Sequence, residues 1–558
     1  MPIGGQILAQ MLDGYGVTHV FHVPAVLRRT MVEIERLTDI KRVRPHSEKS
    51  AAYMADGYAR ASGKPGVCMA QVIGALNLAA GLRDAHLAHS PVIAMTGGRL
   101  PSTKFRQVYQ EVDDVPAFEP VTKWNATIDD VTRIPDMVRQ AFRVATTGAP
   151  GPVHLQFQGN EGQIDLGEVD DDGFVEKRYA RVPPFRPTPD SVHELQEAVD
   201  VLTTANRPVI VAGGGVRASE ASAILVELAE RLAVPVATSL NGKDAIPGNH
   251  PLSVGVVGSY SRASANRTVA KADVVFFVGS ETGGMTTHFW QVPALGTRVI
   301  HLDIEPESLG RNYPPAVSLQ GDARAVLSQM IALSPEQPTH RADWIAMAAG
   351  EVAQWRDEWI PWLASDAVPI RPERIVGDLS ANAPDDAIVV VDTGHAGMWM
   401  GGMFDVAAET QSYMRSAGHL GWAFPASLGA KCAAPDRPVI CFTGDSGFWY
   451  HVAEIETAVR WGINSVTVVN NNSGGNQSKR GFDRAYGGVQ SEQGARDLWQ
   501  FTDVNFAAVA NEIGALGIRV EQPGDFVPAL ERALDSNQPA IIDVVTDIEA
   551  LAPLAVVE

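Results

Sequence analysis

The stretch of this 558-residue chain with the most chemistry in it is GDSGFWYHVAEIETAVRWGINSVTVVNNNSGG, residues 444–475. RPVICFTGD reads as a strand ending at Asp445, HVAEIETAVRWG as a helix with Val452, Ile455 and Val459 at helical spacing, and SVTVVNNN as the next strand. Both strands of such a unit deliver their last residues to one sheet edge, where ligands bind. Asp445 and Asn472, 27 positions apart (472 − 445 = 27), then meet at that edge. A carboxylate, a carboxamide oxygen and the Gly474 carbonyl make a hard oxygen set, suited to Mg²⁺ that keeps its other positions for phosphate oxygens and water. Gly444 and Gly447 let the backbone approach a phosphate, and the following helix turns its N-terminus toward it. A plain strand–turn–helix with polar turn residues is the competing explanation.

The elements that must position these residues fall into three stretches of alternating strands and helices. The first holds the strand-like runs VTHVF, GVCMAQV and PVIAMTG, with the helical segment EKSAAYMADGYARAS between them. VEKRYARVPPFRPTPD (175–190), rich in proline and charge, sustains neither periodicity and reads as a linker. The second stretch runs through RPVIVAGGGV, VPVATSL, DVVFFVG and TRVIHLDI, short apolar runs of the kind found in buried parallel strands. A Trp-rich, helix-compatible connection, DWIAMAAGEVAQWRDEWIPWL, leads to the third, with AIVVVDTG, RPVICFTGD, INSVTVVNNN and PAIIDVVTD. The fold class is α/β: three consecutive domains with mainly parallel sheets.

GDS followed, 27 positions after its aspartate, by an asparagine of NNN resembles the metal–diphosphate motif of thiamine-diphosphate-dependent enzymes, in the acetolactate synthase and benzoylformate decarboxylase branch. The resemblance extends over essentially the full length and implies a pyrimidine-binding domain (1–170), a middle domain (188–345) and a diphosphate-binding domain (365–558). HSEKSAAYMADGYARASGKPGV (46–67) is similar to the family's second motif and makes Glu48 its activating glutamate, which shares a proton with N1′ of the cofactor's aminopyrimidine. A carboxyl does this best in a partly buried site. In SAGHLGWAFPASLGA (416–430), Leu420 falls where the family wedges an aliphatic side chain under the cofactor. The implied diphosphate contacts are Gly394, His395, Gly444, Ser446, Gly447 and Gly474, with Asp445, Asn472 and the Gly474 carbonyl on the metal. The implied cofactors are thiamine diphosphate and Mg²⁺.

The pocket departs from the family pattern. VFHVPA places His22 and Ala25 where glycines are usual, AQVIGALN places Gln71, Val72 and Ile73 in a loop that is otherwise glycine-rich, and Gln110 in VYQEVD matches a glutamine lining the site. His22 is either a proton shuttle, since imidazole titrates near neutrality, or a structural group bonded to a carbonyl. His89, His301 and His451 are expected to be structural. Flavin-binding members carry an arginine in the middle domain where GSETGGMTTHFW (279–290) has Glu281; backbone N–H groups of the Gly-rich turns could compensate, so FAD stays open but is not predicted.

Composition excludes other classes. The 45 basic and 65 acidic residues give a formal net charge of −20, which opposes binding to nucleic acid or an anionic membrane surface. The three cysteines (Cys68, Cys432, Cys441) form no metal-type spacing and fit a reducing compartment. With no secretory signal and no apolar run of spanning length, the expectation is a cytoplasmic protein. The resemblance implies a lyase or carboligase acting through carbanion chemistry at thiazolium C2 on a small, pyruvate-like 2-oxo acid. Its partners are small molecules and further copies of itself, a homodimer as the minimal unit and a homotetramer as the assembly. The alternative on this scaffold is a 2-hydroxyacyl-CoA or oxalyl-CoA lyase, or a C–C-cleaving diketone hydrolase. The tail VVTDIEALAPLAVVE offers no basic cluster for CoA phosphates.

Overall fold

The computed structural model describes residues 1–335 and 339–553; the end of the tail just quoted, 554–558, lies outside them. Three six-stranded parallel sheets follow one another. The first is built from β1 (His19–His22), β2 (Lys41–Val43), β3 (Gly66–Ala70), β4 (Val92–Gly97), β5 (Trp124–Ile128) and β6 (Val153–Phe157), in the order β2-β1-β3-β4-β6-β5. The third, from β13 (Ile388–Val391), β14 (Ser412–Arg415), β15 (Val439–Gly444), β16 (Val466–Asn471), β17 (Leu516–Val520) and β18 (Ala540–Val545), repeats that order as β14-β13-β15-β16-β18-β17. Between them lie β7 (Pro208–Ala212), β8 (Val236–Thr238), β9 (Ser253–Val256), β10 (Val274–Val278), β11 (Arg298–Asp303) and β12 (Val317–Gln320), ordered β12-β11-β10-β7-β8-β9. Runs such as Gly66–Ala70 and Val274–Val278 are buried at every residue because helices cover both sheet faces, which is why they read as unbroken apolar strings.

The expected helices form. Glu48–Ser62 spans EKSAAYMADGYARAS, with Ser47 as its N-cap, and Ala342–Leu363 covers the Trp-rich connection. Among the described residues no helix is long and apolar enough to cross a membrane. Three boundaries near the motif differ from the sequence reading. β15 stops at Gly444, so Asp445 opens a short helix, Asp445–Trp449. The helix expected through Val452 begins at Glu454, because the chain turns through Tyr450–Ala453 to bring His451 and Glu454 against the first domain. β16 ends at Asn471, leaving Asn472 one residue past the strand.

The first and third domains share one hydrophobic core. Its centre is the crossing of helix Glu48–Ser62 with helix Ala423–Ala433, both rich in alanine and glycine. The backbones approach so closely that a Cβ on Gly57 would lie 2.0 Å from the Ala426 carbonyl oxygen. One on Gly429 would lie 1.9 Å from that of Met54. Buried polar contacts run along the same seam. Arg60 donates to Asp56 at 2.8 and 2.6 Å, to Asp84 at 3.0 Å and to the Arg415 carbonyl at 2.7 Å, and its guanidinium lies over the Trp422 ring. Trp422 Nε1 in turn donates to Asp56 at 2.8 Å. Elsewhere Ser50 Oγ meets His451 Nδ1 at 2.8 Å, and the Tyr53 hydroxyl meets His419 Nδ1.

Gly57→Ala therefore overpacks the crossing and is expected to lower stability by about 1–3 kcal/mol in urea unfolding. Adding Ala426→Gly should give no rescue, because the collision is with a backbone oxygen; full rescue would place the strain in side chains instead.

Candidate active site

The carboxyl ends of β15 and β16 bring the expected metal-binding residues together. Asp445 is buried; one carboxylate oxygen accepts the Ser446 N–H at 2.7 Å and the other the Gly474 N–H at 2.9 Å. Burial pushes its carboxyl up to about 7, against the pull of these amides. Asn472 Oδ1 and Ser446 Oγ are buried and have no hydrogen-bond partner. Space over Gly444 is open, since a Cβ there would meet nothing within 4 Å. Bare acceptor oxygens beside a buried carboxylate form the kind of site that a hard cation completes. Gly394, at φ 69°, opens helix His395–Met403, whose first side chain, His395, stacks edge-on to Trp399 and leaves Nδ1 unpaired. Burial lowers the His395 imidazole to about 4.

Glu48 occupies a separate edge. It stands half-buried in the first turn of its helix, and Asn77 Nδ2 donates to its carboxylate at 3.3 Å. Gly74, in the turn Val72–Gly74, makes room for it: a Cβ there would sit 2.4 Å from Glu48 Oε1. Gly74 and Asn77 were not singled out from the sequence, although both lie in the atypical AQVIGALN loop. Among the described residues Glu48 makes no hydrogen bond to Asp445 or Asn472.

Leu420 lies in the turn between β14 and helix Ala423–Ala433. The next residue, Gly421 (φ 87°), donates its N–H to both oxygens of Asp392 at 3.1 Å. Asp392, at the end of β13, also accepts the Thr393 N–H at 2.8 Å and the Thr443 hydroxyl at 3.1 Å. It is a site-building residue missed in the sequence, signalled only by an acid closing the strand AIVVVD.

The pocket candidates fall on the carboxyl edge of the first sheet. His22 ends β1, opposite Met69 of β3, and Gln71 follows β3 by one residue. Gln71 Nε2 donates to Gln110 Oε1 at 3.2 Å, and Gln110 adopts a left-handed φ of 63°. His22 Nδ1 is buried and unpaired. Burial first, then the charges of Arg42 and Arg44, lower its imidazole to about 4, so at neutral pH it is an uncharged acceptor or donor rather than an imidazolium. His301 is structural, bonded through Nε2 to the Ser280 carbonyl at 2.8 Å, while His89 forms an ion pair with Glu281 at 3.2 Å.

With β7 counted as first, the middle sheet reads 3-2-1-4-5-6, the order whose switch point lies between β7 and β10. Two of the glycine amides there are already engaged. The Gly213 and Gly215 N–H groups are spent on the Val278 and Gly279 carbonyls, and a Cβ on Gly213 would lie 2.0 Å from the Gly279 oxygen. Glu281, three residues past β10, directs its carboxylate to His89.

Comparison with known proteins accords with this geometry. Three family models match in order: thiamine pyrophosphate enzyme N-terminal TPP binding domain over residues 3–117, central domain over 195–330, and C-terminal TPP binding domain over 392–544. The chain is 32% identical to a probable acetolactate synthase large subunit of Methanocaldococcus jannaschii, covering 99% of this chain and 93% of that one. It is 28% identical to the acetolactate synthase isozyme 1 large subunit of Escherichia coli K12 (98% and 94% covered). It is also 28% identical to the glyoxylate carboligase of Escherichia coli O157:H7 (96% and 92% covered).

The His22 ring should titrate by NMR with a midpoint near 4 in place of 6.5. Since the folded value is the lower one, this group costs no stability above 6.5 and an increasing amount as pH falls toward 4. A midpoint above 6 would show that the imidazole is open to water.

Proposed function

The chain belongs to the thiamine pyrophosphate enzyme family, among the acetolactate synthase-like carboligases, and on that premise we propose that it joins or cleaves C–C bonds of a small, pyruvate-like 2-oxo acid, with Mg²⁺ as its metal. The observation that carries this reading is the bare Asn472 Oδ1 beside buried Asp445 at one sheet edge. Thiamine diphosphate supplies, when bound, an acidic thiazolium C2 and an electron sink. Asp445, Asn472 and the Gly474 carbonyl hold Mg²⁺. The backbone around Gly444, Ser446 and Gly447 faces the diphosphate, with Gly394 and His395 at the second helix start. Glu48 holds and returns the proton at N1′ of the aminopyrimidine. Leu420 supports the cofactor from below, and neutral His22 and Gln110 hydrogen-bond substrate oxygens.

Glu48 and Asp445 serve one reaction from edges with no hydrogen bond between them, which supports a site shared by two copies of the chain. The minimal unit is then a homodimer, and two such dimers make the tetramer. Exposed apolar groups, Phe105 (88% exposed) in the first domain and Val489 (97%) in the third among them, offer surface for a second copy. Free cysteines, two of them buried, support a reducing compartment and the cytoplasm.

A panel of 2-oxo acids with thiamine diphosphate and Mg²⁺, with and without an aldehyde acceptor, tests the reaction. Ketol formed from pyruvate or glyoxylate supports carboligation, and inert acids with turnover of acyl-CoA or diketone substrates would replace it. Glu48→Gln should slow H/D exchange at C2 of the bound cofactor by about 100-fold or more. Co-assembly of the inactive variants Glu48→Gln and Asp445→Asn should restore up to about a quarter of wild-type activity, because half the dimers carry one intact shared site. No restoration would place both residues in a site within one chain.

A further inference from the structure

Asp84 belongs to the first domain, on helix Ala75–Leu87, and is 1% exposed. Its carboxylate spans the seam to the loop that precedes Leu420. It accepts the Ala417 N–H at 2.9 and 3.0 Å and the His419 N–H at 3.2 Å, and the Ser416 hydroxyl lies 2.9 Å away. Arg60 supplies the remaining bond. The loop can turn its amides onto one carboxylate because Gly418 takes φ 142°, a conformation that side chains disfavour. On the far side of Leu420, Gly421 donates to Asp392. The residues flanking Leu420 are thus each tied to a buried carboxylate, one from the first domain and one from the third, while Leu420 itself is half-buried.

We infer that Asp84 is a positioning residue for the reaction: by gathering the N–H groups of residues 417 and 419 it sets the place of Leu420, so that the first domain controls the cofactor support of its own chain. This rests on the cofactor reading above. Asp84 acts through the loop alone and touches no reacting atom. Asp84→Asn keeps the size but removes the negative charge and replaces one acceptor oxygen by an NH2. That group must face a donor whichever way the amide turns, Arg60 and Ala417 on one side or Ser416, Ala417 and His419 on the other. The loop then relaxes, and Leu420 loses its register.

The test is C2 H/D exchange of bound thiamine diphosphate in the full-length protein with Mg²⁺, together with cofactor affinity, for Asp84→Asn, Leu420→Ala and the double variant. Asp84→Asn should slow exchange roughly tenfold or more while leaving cofactor affinity within about threefold. In the Leu420→Ala background the same substitution should slow it no further, since the effect is transmitted through that side chain. Equal slowing in both backgrounds, or unchanged exchange in the single variant, would overturn the assignment while the cofactor reading stands. Wild-type protein that binds the cofactor without accelerating exchange would overturn both. If Asp84→Asn does not fold, Ser416→Ala removes one bond to the same carboxylate; its smaller slowing should likewise vanish when Leu420 is alanine, and persistence there would count against the inference.

Discussion

The charge of Arg60 is what the meeting of the first and third domains depends on. Two buried carboxylates, Asp56 and Asp84, share one guanidinium, so the trio carries an excess of negative charge in a dry place. Buried charge of this kind persists only where polar hydrogens surround it. The third domain supplies them: the Trp422 indole N–H on Asp56 and the Ala417 and His419 amides on Asp84. The electrostatic deficit on one side of the seam thus fixes the path of the loop on the other. Removing Arg60 would leave Asp56 and Asp84 without their shared guanidinium, and losing one partner of a buried ion pair costs about 3–5 kcal/mol.

At the active edge the balance is reversed. Along the seam buried polar atoms are largely paired, whereas Asn472 Oδ1, Ser446 Oγ, His395 Nδ1 and His22 Nδ1 are left bare. A buried acceptor without a donor costs about 1–3 kcal/mol, a strain that folding alone would remove. These four atoms lie just past, or at, the carboxyl ends of parallel strands. The elevated carboxyl of Asp445 belongs to the same pattern: its environment suits a cation better than a lone negative charge.

Much of this arrangement was legible in the sequence because it lies in local patterns. EKSAAYMADGYARAS predicts its helix to the residue, and the fully buried central strands announce themselves as apolar runs. Seven strands went unnoticed. Lys41–Val43, Trp124–Ile128, Ser253–Val256, Val317–Gln320, Ser412–Arg415 and Leu516–Val520 are all at sheet edges, where pairing on one side demands less apolar surface. Val153–Phe157 lies one place in from an edge, and its VHLQF breaks the apolar run with His154 and Gln156 although it is buried throughout. Asp445 and Asn472 were found by spacing, but the turn at Tyr450–Ala453 was not, since it answers to His46 and Ser50 some 400 positions away. Asp84 had no signal at all. A single aspartate in a helix acquires its role only when a distant loop arrives, and no periodicity encodes that arrival.

The crossing of the two glycine-bearing helices also has a consequence in time. The first helix ends at Ser62 and its cover begins 361 positions later at Ala423 (423 − 62 = 361). At a synthesis rate of about 5–20 residues per second, the nascent first domain waits roughly 20–70 s for the partner that buries its small-residue face. Throughout that interval the middle domain can fold on the ribosome, while the Ala-rich face and the Asp56 and Asp84 carboxylates remain in water. The sequence thus places a long-delayed contact at one of its closest backbone approaches, and the growing chain must be kept from sticking to its neighbours until residue 433 has emerged.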